Sequence, residues 1–147
     1  MNVPYNAMDI AKYIVTYCKR KNRPISNLKL QKILYFAWVD YYRENEWALF
    51  NNAIQDWQFG PVIPEVYRLF SIFAGNPILR EFEPVTEMRE EDIAQLNETI
   101  NKYIMVAASI LVNITHEKGK PWDLTYRNGM GKNDIISFDL IIEKECA

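Results

Sequence analysis

The sequence predicts a mainly α (α+β) fold: a compact helical chain with a small antiparallel element of short strands. Three observations lead there. Apolar residues recur at spacings of three and four over most of the chain. Cap-forming residues and Pro or Gly stops frame those stretches. Only two short segments, residues 53–59 and 78–85, alternate in the manner of strands. The 147 residues, 49% hydrophobic and 14% aromatic, suit a single domain spanning residues 1–147 and are too apolar for disorder. There is no internal repeat or low-complexity tract.

Each element has a local reason. Residues 1–5 form a lead-in. Asn6 can cap a first helix, with Asp9 three residues later and Met8, Ala11, Ile14, Val15 and Cys18 on its apolar face. That helix should end near Asn22, because Pro24 holds Arg23 extended. Ser26 caps the next helix, which runs to about Arg43 with Leu28, Leu30, Ile33, Leu34, Ala37 and Tyr41 inward. Its apolar face is wide, which marks it as the central helix. Gln31 and Lys32 are expected on or beside its polar side. Residues 44–52 form a loop with Trp47, Leu49 and Phe50 as anchors.

The segment 53–59 (AIQDWQF) predicts a strand, with Ile54 and Asp56 to one side and Gln55 and Trp57 to the other. Gly60-Pro61 should end it. Pro64 suits the first turn of a helix, where its missing N–H has no partner, and that helix should reach Ala74 before Gly75-Asn76-Pro77. Residues 78–85 (ILREFEPV) could pair with the first strand as an edge, since an edge tolerates Pro84. A helix is expected from Thr86 to about Tyr103, with Met88, Ile93, Leu96, Ile100 and Tyr103 buried, and a second helical segment to about Ile114. The apolar run 103–112 is half the length of a membrane span and reads as a buried helix segment. Residues 122–127 suit a short helix, and Ser137 can cap a last one over 138–144.

Composition narrows the chemistry. Seventeen basic and nineteen acidic residues give a net charge of −2, which argues against nonspecific nucleic-acid binding. The local cluster Lys19, Arg20, Lys21 and Arg23 fits a helix C-terminus, where cations suit the dipole. An acidic or nucleic-acid partner is the alternative. Cys18 and Cys146 are too few and too far apart for a disulfide framework, so a reducing cytoplasm is expected. No signal peptide or membrane span is read. His116 is the one histidine, and neither metal-ligand spacing nor a nucleophile elbow accompanies it. Phosphate-cradling glycine motifs are absent. The expectation is therefore no catalysis, no metal and no cofactor.

Two constellations invite a second reading. One is residues 57–64 (WQFGPVIP). It can be a strand end, a turn and a helix start with Trp57 in the core. It can also be a rigid aromatic corner for a partner. The other is Thr115, His116 and Glu117 with Pro121 and Trp122. Here Thr115 and His116 can satisfy helix-end groups with Trp122 as a packing anchor, or His116 can serve binding or catalysis.

Taken together, these pieces resemble a known family. LKLQKILYFA carries Leu28, Leu30, Gln31, Lys32 and Tyr35. The next block holds Trp57, Gly60, Pro61, Val62, Pro64 and Tyr67, and the last holds Thr115, His116, Pro121 and Trp122. In this order and spacing they resemble the Panacea antitoxin domain of SocA-like and phage-associated GepA-like proteins, over residues 7–142. Asp56 and Phe59 depart from it, standing where many relatives have a small residue and a Tyr. Residues 103–109 are also more apolar than the family's Tyr-Gly break.

The resemblance implies a mainly helical domain with a few short strands. It implies a cytoplasmic antitoxin that binds a cognate toxin protein, encoded nearby, and blocks it. One relative resembles an adaptor that hands its toxin to a host protease, and an enzyme reversing the toxin's modification is a third route. Many relatives carry an added DNA-binding part, for which this chain leaves no room beyond the domain. The partner surface is expected on the exposed side of the second helix (Lys29, Lys32), at the corner of Trp57, Gly60, Pro61 and Pro64, and on Tyr41, Tyr42 and Trp47.

Overall fold

A computed structural model describes residues 3–84 and 86–147. The expectations for Met1, Asn2 and Val85 lie outside the described residues. Seven α-helices and three short strands occur among the described residues: α1 Ala7–Arg20, α2 Asn27–Asn45, β1 Ile54–Trp57, β2 Gly60–Val62, α3 Pro64–Phe70, α4 Glu90–Tyr103, α5 Ala108–Thr115, α6 Pro121–Tyr126, β3 Ile135–Ile136 and α7 Phe138–Glu145. The fold is mainly α with one small antiparallel sheet, as the sequence predicts.

The local signals work as read. Asn6 accepts from the Met8 N–H, Ser26 from Lys29 and Ser137 from Leu140. Each satisfies an N–H that the first helical turn leaves without an internal partner. Pro64 opens α3, which ends at Phe70 and gives way to a 3₁₀ turn over Ser71–Phe73.

Helix α2 is the axis of the molecule. It packs against α1, α3, α4, α5, α7 and β2, and every residue from Leu30 to Val39 is buried. A helix enclosed on all sides has no polar stripe to keep wet. Gln31 and Lys32, expected near a solvated face, are therefore inside. Trp38 is sealed against Phe138 of α7, ring centroids 4.9 Å apart, and its Nε1 donates to the Phe50 carbonyl.

The sheet differs from expectation. Gly60-Pro61 does not end the structure but begins β2, which folds back on β1 with Gln55 opposite Val62 and Trp57 opposite Gly60. The third strand is β3, with Ile54 opposite Ile136, giving the order β2-β1-β3. The expected edge strand at 78–85 makes no ladder over its described residues. It runs along the helices instead, the Ile78 N–H donating to the Ile25 carbonyl and the Phe82 N–H to the Thr16 hydroxyl.

The apolar run 103–112 is not a buried helix. Helix α4 stops at Tyr103, where Lys29 donates to the Ile104 carbonyl, a cation at a helix C-terminus. Beyond the break Met105 and Ile110 are 67% and 51% exposed. Helix α4 also begins at Glu90 rather than Thr86, and of its expected inward set Leu96 and Ile100 are the fully enclosed pair.

Candidate functional site

Most of the motif residues meet at the β1–β2 hairpin, on its two faces. The inner face rests on α2, α5 and α6. Lys32 of α2 is 0% exposed, and its Nζ donates to the Pro61 carbonyl at 3.0 Å. One residue earlier, Gln31 accepts from the Ile63 N–H at 3.0 Å and donates to Asn27. Trp122 of α6 donates from Nε1 to the Trp57 carbonyl at 2.8 Å. The hairpin is thus tied from beneath by three side chains distant in sequence.

Gly60 makes that contact possible. Its φ of +112° suits glycine, and a Cβ there would lie 2.7 Å from Lys32 Cε and 2.8 Å from Thr115 Oγ1. The Thr115 hydroxyl donates to the Val112 carbonyl, closing the end of α5. His116 lies flat on Trp122, centroids 3.7 Å apart, and Trp122 in turn on Tyr126 at 4.3 Å.

The electrostatics follow from burial. Desolvation pulls the Lys32 ammonium down to about 7, because the site offers it one carbonyl and no counter-charge. Burial also lowers His116, and the Lys32 charge adds to the effect. His116 Nε2 is buried with no hydrogen-bond partner. Asp56 on β1 is wholly enclosed with both carboxylate oxygens unpartnered, and burial raises its pKa. A low-pKa amine has the makings of a nucleophile, but this one is enclosed by Gly60, Pro61 and Thr115. Its work here is to hold the hairpin. Among the described residues no group of three or more His, Cys, Asp or Glu is arranged to hold a metal ion.

The outer face is different. Phe59, at the hairpin turn, is 57% exposed, and Tyr67 on α3 is also exposed. Trp57 is half-buried, edge-on to Tyr67 at 4.9 Å, with its Nε1 held by Gln55. Beside them runs an open groove of about 520 Å³ between the hairpin, the start of α2 and the end of α3, lined by Leu28, Trp57, Phe59, Val62 and Tyr67 with Lys132 at its edge.

Several residues expected to face a partner do not. Lys32, Gly60, Pro61 and Pro64 are buried, as are Val62 and Pro121. Tyr41 is buried in a network in which its hydroxyl donates to Asp92 and accepts from Trp47 and Arg89. Lys29 is half-buried and held by the Ile104 carbonyl. Tyr42 is half-buried against Trp38, and Tyr35, sealed in the core, donates to Glu145. Leu30 is core and Leu28 is half-buried at the groove. Trp47 is exposed. Of the basic cluster, Lys19 and Arg20 pair with Glu81 at 2.9 and 2.7 Å. The sequence placed Phe59 inside the expected corner 57–64 without naming it as a contact, and nothing in it pointed to Lys132. The signal for Phe59 was its position in a two-residue turn between paired strands.

A family model described as Antitoxin SocA-like, Panacea domain, matches residues 30–123. That span runs from Leu30 past Trp122 and contains the whole hairpin clamp. The Antitoxin SocA of Caulobacter vibrioides (strain NA1000 / CB15N) is 33% identical over 147 residues, covering 87% of this chain and 73% of that relative. No solved structure matches the chain significantly.

Proposed function

The chain belongs to the SocA-like, Panacea-domain antitoxin family, and from that premise we propose that it neutralises a cognate toxin protein by binding it directly. One observation carries the reading: the hairpin is clamped from inside by Lys32, Gln31 and Trp122 while its aromatic outer face stays open. A surface already rigid before binding loses little entropy on docking. Aromatic anchors of this kind dominate interface energies, and about 800 Å² per partner is feasible on a domain this size. The polar motif residues do structural work beneath that surface, so binding rather than catalysis is the activity they support.

The test is tagged co-expression with the product of the adjacent gene. Growth restored with a stoichiometric complex is the expected result. Growth restored while the toxin disappears would replace direct blocking with delivery to a host protease. Free, intact toxin in protected cells would overturn binding and favour enzymatic reversal, with His116 the residue to substitute next.

A further inference from the structure

We infer that the groove beside the hairpin tip seats an extended, acidic segment of the partner protein, with one bulky apolar side chain against Trp57 and Tyr67. This rests on the binding reading above and names the chemistry of the bound segment.

The shape argues for a narrow occupant. A groove of about 520 Å³ falls in the size range of sites that enclose small ligands or a few side chains. A bound strand could not extend the sheet through Pro61, because Pro61 has no N–H and its carbonyl already accepts from Lys32. Recognition must therefore run through side chains. The walls supply apolar surface from Leu28, Phe59, Trp57 and Tyr67. Several polar lining groups have partners within the chain: Ser26 accepts from Lys29, Asn27 pairs with Gln31 and Tyr67, and Ser71 donates to Arg68. Gln58 and Asn133 complete the polar edge.

Charge sets the sign. Lys132 is the one charged side chain lining the groove among the described residues, and no carboxylate lines it, although the chain as a whole carries −2. A carboxylate flanking the apolar anchor meets Lys132, whereas a basic segment meets uncompensated repulsion.

Gly75 provides a clean probe. It lines the groove, and a Cβ built on it meets nothing within 4 Å. Gly75→Trp therefore adds bulk at the groove wall without a clash at its Cβ. The experiment selects random peptides displayed on phage against the full chain, then measures the selected peptides by fluorescence anisotropy. The expected consensus is a bulky apolar residue with flanking Asp or Glu. Affinity should fall at least about tenfold in Gly75→Trp and about fivefold in Lys132→Glu, with thermal melts confirming that both variants fold. No enrichment over an unrelated protein, a consensus without acids, or peptides that bind Gly75→Trp unchanged would each overturn the proposal. The two readings separate cleanly. Peptide binding by a wild-type chain that fails to capture or neutralise the toxin counts against the toxin reading alone. Toxin captured equally well by Gly75→Trp counts against the groove alone.

Discussion

The two faces of the β1–β2 hairpin invert the usual arrangement of a folded chain. Its inner face holds the amine of Lys32 and the carboxyl of Asp56 away from water, with the buried Nε2 of half-buried His116 beneath it. Its outer face leaves Phe59 and Tyr67 in water. Burying polar groups and exposing aromatics both oppose stability, so neither face is arranged for stability alone. The inner clamp gives a fixed hairpin, and the fixed hairpin presents the aromatics. The comparison breaks most sharply at Gly60. Gly60→Val puts a branched side chain at φ +112° and within 2.7 Å of Lys32 Cε. The expected loss is about 4 kcal/mol, strain and overpacking together, read from urea unfolding. A loss under about 1 kcal/mol would mean the hairpin is not seated on Lys32.

The clamp should also be sensitive to pH. Lys32 has its pKa lowered from 10.5 to about 7 in the folded chain, so the unfolded chain takes up the proton first as pH falls. The Lys32 contribution to stability is fully present above 10.5 and is lost as pH falls to about 7. His116, also lowered, adds to the loss below its ordinary value of 6.5. Asp56 has the opposite sign. Its raised pKa favours folding at acid pH and loses that advantage as pH rises through the folded value. Between about pH 9.5 and pH 6 the lysine dominates, and stability should drop by on the order of 3 kcal/mol. Lys32→Met keeps the side-chain length and should flatten that slope. An equally steep profile in the variant would place the titration elsewhere.

Legibility in the sequence divides along the same line. The caps Asn6, Ser26 and Ser137 and the Pro64 helix start were readable because each is satisfied within three residues. The burial of Gln31 and Lys32 was harder, because their partners at Ile63 and Pro61 lie about thirty residues away. A usable signal existed: Tyr35, Phe36, Trp38 and Val39 make α2 apolar on every side, leaving no wet stripe. The two-residue β3 carries too little pattern to detect, and residues 78–85 alternate like a strand although their backbone bonds go to Thr16 and Ile25. The two departures from the family pattern, Asp56 and Phe59, fall one on each face of the hairpin. The first is sealed in without a partner, and the second is among the most exposed aromatics of the groove.

A smaller effect should appear where α3 ends. Ala74 lines the groove with φ +51° and ψ −130°, a region glycine occupies at low cost and alanine does not. Ala74→Gly should stabilise the chain by about 1 kcal/mol, with strain relief outweighing the added freedom of the unfolded state. Thermal unfolding checks the sign, and a destabilised variant would show that this turn is not strained.

The smallest effect on stability should accompany the largest change in binding. Phe59 lies at the hairpin turn, 57% exposed, and among the described residues it makes no ring stack or hydrogen bond with the rest of the chain. Phe59→Ser should therefore leave unfolding within about 0.5 kcal/mol of wild type, whereas Gly60→Val, one residue on, unfolds the clamp. If the outer face is the contact surface, the same Ser substitution removes an aromatic anchor and weakens toxin capture by more than about tenfold. Stability and capture measured on one preparation separate the two faces: loss of both would make Phe59 part of the scaffold, and loss of neither would move the contact surface off the hairpin.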